Sequence, residues 1–419
     1  MFFFFKNPRN SFEDSFPAPC ATILAQNKRF KSRDGNANAN TLTMAYRQQY
    51  NQLAREIFET YGCDGTTGNN FVIGTDCTIL GFLAYYHATD GLSRQALDAK
   101  QFRQLYSKPK EMKKDSCATA ISLLSRNDMG LINEQFEKDV KETCTENFLH
   151  TRVENSQEEY LRMLAGHINE WFRNKTDNLI DDLVSVEDLD LYHRGPTTMT
   201  ARTIFNGKWK FPFSEILTTP EDFFLPKDST RKVHMMSDYS RHTVLISHLD
   251  DAIAVKIPYS DTDGGWFIAI MPQKPAEKED LISLVQKADL ENLWDSFVPK
   301  VCYSLNMPKF STTTDLVLDD GTGEQISRIE ALEDFAVGVD LSNMFHRKKT
   351  GNMAYRLHTT ITNDEEGSRV EATFRGDDHD GGPAKNSIRV HLDKPFAYII
   401  TDAENYIRSM GIFSGGEDE

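Results

Sequence analysis

The chain has 419 residues, of which 39% are hydrophobic and 26% charged; this excludes a wholly disordered or fibrous protein and leaves room for one large domain or two ordinary ones. A formal net charge of −16 repels phosphate backbones and anionic membranes, so nucleic-acid binding is not expected as the main task. The six cysteines, Cys20, Cys63, Cys77, Cys117, Cys144 and Cys302, lack the short paired spacing of a zinc or redox site, and no cofactor is implied.

The chain opens MFFFF, but Lys6 and Arg9 end the apolar run before it reaches the roughly 7–15 residues of a secretory core. No run approaches the ~20 apolar residues of a membrane span, which predicts a soluble or peripheral protein. Residues 1–40 show no sustained period and are expected to be a poorly ordered extension. Between Tyr46 and Tyr61, Leu53, Ile57 and Tyr61 fall on one helix face, and CDGTTGNN then makes a turn. From Phe71 the sequence predicts a buried strand feeding a buried helix through Leu83. The run KPKEMKK, with Lys108, Lys110, Lys113 and Lys114, predicts a solvated helix end, contact with a polyanion being the alternative. NSQEEYLRMLAGHINEWFRNKTDNLIDDL predicts a helix with Leu161, Leu164, Ile168 and Trp171 on one stripe and Ser156 and Glu159 as a capping box. Its NKT triplet at Asn174 is a glycosylation acceptor if the chain is exported.

Strand-like runs follow at residues 243–249, 252–259, 265–271 and 302–310, with the helical pattern DLISLVQKADLENLWDSF between the third and the fourth. Helices early and strands late indicate an α+β fold rather than an alternating one. The chain contains no HExxH, P-loop, GxSxG or full dinucleotide fingerprint, and DDHDGG at 377–382 lacks the ligand spacing of a calcium loop, so no motif supports an enzyme.

The segments INEWFRNKTDNLIDDL, FNGKWKFPF, KVHMM, AIAVKIPYSDTDGGWFIAIMP, LNMPKF, DFAVGVDLSNMF, NDEEGS and KPFAYII succeed one another in an order and spacing that resembles the serpin family from about residue 46 to 414. The resemblance implies a single domain over residues 41–419, with helices clustered around three mixed or antiparallel β-sheets and an exposed reactive loop at about 367–388. It also implies a monomer whose partner is a protease. The setting would be extracellular, and an intracellular one stays open because the N-terminus shows no clear signal peptide.

Read without the resemblance, the acidic-glycine stretch Asp364–Gly367 is a solvated turn. With it, Glu365, Glu366, Gly367, Ser368, Val370, Ala372 and Thr373 become the hinge of a loop that a serine or cysteine protease cleaves and that then enters the central sheet as a strand. The alternatives are a non-inhibitory binding or storage protein and a cleavable decoy. Counting from either end of the loop places the scissile bond among Gly381, Gly382, Ala384 and Lys385, with Arg375 as a further basic candidate. Two departures stand out. Among the residues that would face inward, Phe374 is bulky, and Asp378 carries a charge that is costly to bury. The polar cluster that controls sheet opening in the family is matched here by Gly74, Cys77, Ala201 and Leu357. His358 is one position out of register and therefore belongs to the other face of its strand.

Overall fold

The stripe of Leu53, Ile57 and Tyr61 lies on helix α1 (Gly35–Gly62), where all three side chains are buried. The computed structural model describes residues 35–63, 67–100, 102–103, 117–194, 197–205, 207–240, 242–260, 264–288, 290–319, 324, 326–335, 340–346, 354–367 and 387–416. The N-terminal residues 1–34, the run containing Lys108, Lys110, Lys113 and Lys114, and the loop from Ser368 to Asn386 lie outside the described residues. The chain divides into two compact units, residues 1–46 and 47–419.

In the larger unit, strand β1 (Phe71–Ile73) feeds helix α2 (Thr75–Ala88), every residue of which is buried. A helix enclosed on all sides needs no polar face, and the sequence of α2 accordingly shows no amphipathic stripe. Helix α3 (Gly91–Ala99), strand β2 (Cys117–Arg126), helix α4 (Glu134–Thr143) and strand β3 (Phe148–Val153) follow. Helix α5 (Glu158–Lys175) buries Leu161, Ile168 and Phe172, while Leu164 and Trp171 are half-buried at the edge of the same core. The expected capping box does not form: Gln157 holds the cap position without a side-chain bond, and Asn155 accepts the Gln157 N–H. The helix stops at Thr176 because Asp177 and Asn178 take positive φ (52° and 64°).

After the short α6 (Leu191–Arg194) come β4 (Thr197–Phe205), β5 (Thr219–Leu225), β6 (Ser229–Asp238), β7 (His242–His248), β8 (Ala252–Pro258) and β9 (Trp266–Pro272). The single helix expected next is two, α7 (Lys278–Lys287) and α8 (Leu290–Ser296), divided where Ala288 is extended (φ −65°, ψ 124°). Strands β10 (Val298–Pro308), β11 (Phe310–Asp319), β12 (Ala354–Asn363), β13 (Ser387–His391), β14 (Phe396–Thr401) and β15 (Ile407–Phe413) complete an α+β architecture.

Among the described residues, the hydrogen-bonded strands fall into two groups. A five-stranded sheet runs β11-β12-β4-β2-β3, and a ten-stranded one runs β1-β15-β14-β9-β8-β7-β10-β6-β5 with β13 also on β10. The long β10 fuses what would otherwise be two sheets. Its first half pairs with β7, its second half with β6, and a bulge between Cys302 and Ser304 on the β13 side turns it from one to the other.

Three apolar layers result. One fills the space around α2 beneath the five-stranded sheet, a second lies against the ten-stranded sheet, and the third lies between the outer face of β2–β4 and α5. The five-stranded sheet is thus covered on both faces, which is why β4 reads as nearly continuous burial instead of alternation.

Candidate functional site

The centre of the five-stranded sheet is a parallel seam. Strand β12 pairs with β4 from Ala354↔Thr198 to Thr359↔Thr203, and the pairing stops there, while β12 continues against β11 as far as Asn363. Among the described residues, the far end of β12 is therefore paired on the β11 side only, and the acidic-glycine stretch begins at that point.

Asp364 and Gly367 close a tight reversal: the Asp364 N–H donates to the Gly367 carbonyl at 3.0 Å, and the Gly367 N–H returns to the Asp364 carbonyl at 3.3 Å. The segment after β4 clamps it. Trp209 N–H donates to the Glu366 carbonyl (2.9 Å), Phe213 N–H to the Glu365 carbonyl (2.7 Å), and the Trp209 indole N–H to the Asp364 carbonyl (2.9 Å). Trp209 is itself fixed by stacking on Tyr259 (4.9 Å between ring centres, 8° between planes), with Phe213 and Phe267 edge-on. Gly367 has φ +129°, and a Cβ there would stand 2.3 Å from the Gly207 carbonyl oxygen, so both conformation and contact demand glycine.

Glu365 is no solvated turn residue. It is 5% exposed, and its two carboxylate oxygens accept from Thr218 Oγ1 and Lys309 Nζ, each at 2.7 Å. Burial works to raise its pKa, but the bonds from Lys309 and Thr218 outweigh burial and hold it below the ordinary value. Glu366 is half-buried and contributes its backbone. Sequence reading named Glu365 but missed its partners, because Thr218 and Lys309 are distant along the chain; Lys309 lay unremarked within LNMPKF.

Behind the seam, Gly74, Cys77, Ala201 and Leu357 come together. Ala201 and Leu357 are directly paired across β4 and β12, and both share the core around α2 with Cys77. His358 points to the opposite face, bonded to Asp315 and, at 3.4 Å, to Thr360. Hydroxyl groups nevertheless lie close by. Thr359, two residues past Leu357 on the same face, accepts the Gly74 N–H at 3.1 Å, and Thr314 on β11 accepts the Val72 N–H at 2.9 Å. No motif marks these threonines, which lie in the runs STTTD and TTITN. Thr359→Val removes the acceptor of the buried Gly74 N–H and is expected to cost about 1–3 kcal/mol in chemical denaturation, with Thr359→Ser near wild type. Equal stability of all three proteins would show that this bond carries nothing.

The other expected hinge residues, Ser368, Val370, Ala372 and Thr373, together with Phe374, Asp378 and the cleavage candidates Gly381, Gly382, Ala384 and Lys385, lie outside the described residues.

A family model described as Serpin (serine protease inhibitor) matches residues 27–414. A serine protease inhibitor of Rattus norvegicus is 26% identical over 244 residues, which is 57% of this chain and 54% of that protein. Antichymotrypsin-2 of Bombyx mori is 28% identical over 192 residues, 46% of each. The chain spans about half the length of the curated relatives it matches. Among solved structures, Serpin48 of the insect Tenebrio molitor superposes with a TM-score of 0.69 at 16% identity, over 90% of this chain and 99% of that one. The thermophilic serpin tengpin, in its native state, gives 0.66 at 18% identity, over 87% and 93%. At these identities the structural likeness is one of fold.

Proposed function

The chain belongs to the serpin family, and we propose from that premise that it is a suicide-substrate inhibitor of a serine or cysteine endopeptidase. The protease cleaves the loop after Gly367, and the cleaved loop enters the seam between β12 and β4 as a new strand, carrying the acyl-linked enzyme with it. The inhibitor itself catalyses nothing. The observation that carries this reading is the parallel β12–β4 seam with the hinge at its open end. A strand that reverses at Gly367 runs antiparallel to both neighbours and can bond to each.

The register follows from the hinge. Continuing the Asp364↔Gly367 bridge sets Val370 opposite Ile361, Ala372 opposite Thr359 and Phe374 opposite Leu357. The two departures from the family then compensate. Phe374 is brought to the place where Leu357 faces Ala201, beside Cys77, which is apolar. Asp378 falls one step past Ala354, the first residue of β12, so its carboxylate reaches the rim of the seam and not its middle.

An extracellular setting goes with this reading. Asn174 is exposed at the last turn of α5, open to glycosylation. Among the described residues, no helix is long and apolar enough to cross a membrane.

Incubation with trypsin-like, chymotrypsin-like and papain-like endopeptidases tests the proposal. The expected product is a detergent-stable species of summed mass, and the mass of the released C-terminal peptide identifies the bond cut among Gly381–Lys385. Cleavage without a complex supports the decoy reading, and neither product supports the binding protein.

A further inference from the structure

Beneath the seam lies a buried ionic cluster that the inhibitory reading does not use. Arg408 on β15 is shared by two carboxylates: its Nη2 meets Asp402 Oδ2 at 2.9 Å, and its Nη1 lies 3.6 Å from Asp76 Oδ2. All three residues are nearly sealed, with Asp76 1%, Arg408 5% and Asp402 7% exposed. Two buried carboxylates against one guanidinium leave an excess negative charge, which is costly in a low-dielectric core.

The two acids are unequally served. Besides Arg408, Asp402 accepts from the backbone N–H groups of Glu404 and Tyr406, both at 2.9 Å. Asp76 accepts the Cys77 N–H at 2.7 Å and has the looser side of Arg408, at 3.6 Å. The other titratable groups facing Asp76 are the buried phenol of Tyr50 on α1 and the Cys77 thiol on α2 itself. Strands β4 and β12 contribute Ala201 and Leu357 to the core beside this end of α2, neither of them titratable. Farther along the turn after β14, Lys256 Nζ donates to Asn405 Oδ1 at 2.8 Å.

The position of Asp76 links this cluster to the seam. It stands between Gly74, whose N–H is held by Thr359 of β12, and Cys77, which shares a core with Ala201 and Leu357. We propose that Asp76 is a proton-sensitive control on the opening of the β12–β4 seam: the protonated acid stabilises the closed sheet, and the ionised acid favours states in which the seam parts and water reaches the cluster.

Burial raises the Asp76 pKa from 3.8 to about 6 against the opposing pull of Arg408. A raised carboxyl binds its proton more tightly in the closed state. Its stabilising contribution is therefore complete below the ordinary value and disappears as pH rises through about 6. If the opened state restores the ordinary value, the opened fraction rises about tenfold between pH 5 and pH 7. Other groups must be subtracted. Burial lowers His87 and His150 to about 4, so the native state as a whole loses stability as pH falls below the ordinary histidine value, the opposite sign. Lys256, lowered to about 8 by burial, titrates above this window.

The proposal deepens the inhibitory reading, but its test needs neither a protease nor loop insertion. Hydrogen exchange of the full chain would be followed at residues 354–359 and 198–203 from pH 5 to pH 7, corrected for intrinsic exchange rates. In the wild type the seam amides should open about tenfold more often at pH 7. Asp76→Asn should be nearly flat. Asp402→Asn, which removes the carboxylate that competes with Asp76 for Arg408, should move the transition to lower pH. A wild-type profile that Asp76→Asn reproduces, or one that Asp402→Asn leaves in place, overturns the proposal. Failure to form a protease complex would overturn the inhibitory reading and leave this measurement standing.

Discussion

Cleavage of the chain within residues 368–385 is expected to raise its thermal midpoint by roughly 10–20 °C. A strand entering between β12 and β4 forms hydrogen bonds on both edges, and at about 1 kcal/mol net each, a strand of some ten residues gains on the order of 10 kcal/mol. The intact chain cannot reach that state while its hinge is clamped to the Gly207–Phe213 segment and its loop remains tethered at β13. Differential scanning before and after limited proteolysis, with the cut located by mass, gives the answer. An unchanged midpoint would mean that the loop does not insert, and the binding-protein reading would take precedence. The register supplies an internal control: Phe374→Asp would press a carboxylate between Leu357 and Ala201 and should abolish most of the rise, whereas Asp378→Ala, at the rim, should change it little.

Glu365→Lys should be the most damaging single change at the hinge, destabilising the closed end of the seam by about 3 kcal/mol. The Thr218 hydroxyl loses its acceptor, and two ammonium groups converge where one carboxylate had joined Thr218 to Lys309. The Lys309 side chain is 46% exposed, so repulsion between the ammonium groups is screened, and most of the cost comes from the buried side of the site. With the hinge released, the unpaired edge of β12 beyond Thr359 is available to strands of other molecules. Oligomers should accumulate on mild heating, read by size exclusion, with Glu365→Gln intermediate. The latch should also loosen in acid. Its carboxyl pKa is held below the ordinary value, so its contribution is present above the ordinary value and is lost as pH falls from there through the lowered one. A Glu365→Lys protein as monomeric and as heat-resistant as wild type would show that the latch has no role in keeping the seam closed.

Most of the element order was legible in the chain, because burial leaves periodic traces. The stripe of α5, the apolar run through α2 and the strands β7, β8 and β9 can each be recognised from their own residues. His358 could likewise be assigned to the outer face from strand parity alone, and it lies there beside Asp315. The division of residues 280–297 into α7 and α8 was not visible, since Ala288, where the first helix ends, is helix-forming by propensity. The fusion of two sheets through β10 was equally hidden, because a strand that changes partners midway leaves no period of its own.

The site divides in the same way. Sequence by itself determined that Gly367 marks a special backbone position and that acidic residues precede it. Only the tertiary structure decided that Glu365 is buried between Thr218 and Lys309, that Thr359 accepts the Gly74 N–H, and that Asp76 shares Arg408 with Asp402. Except for Arg408 and Asp402, which are six positions apart, each of these contacts joins residues more than 50 positions apart. Local propensity and periodicity carry no information about such pairs; they exist only once the sheets have closed and the desolvated polar groups have had to find partners.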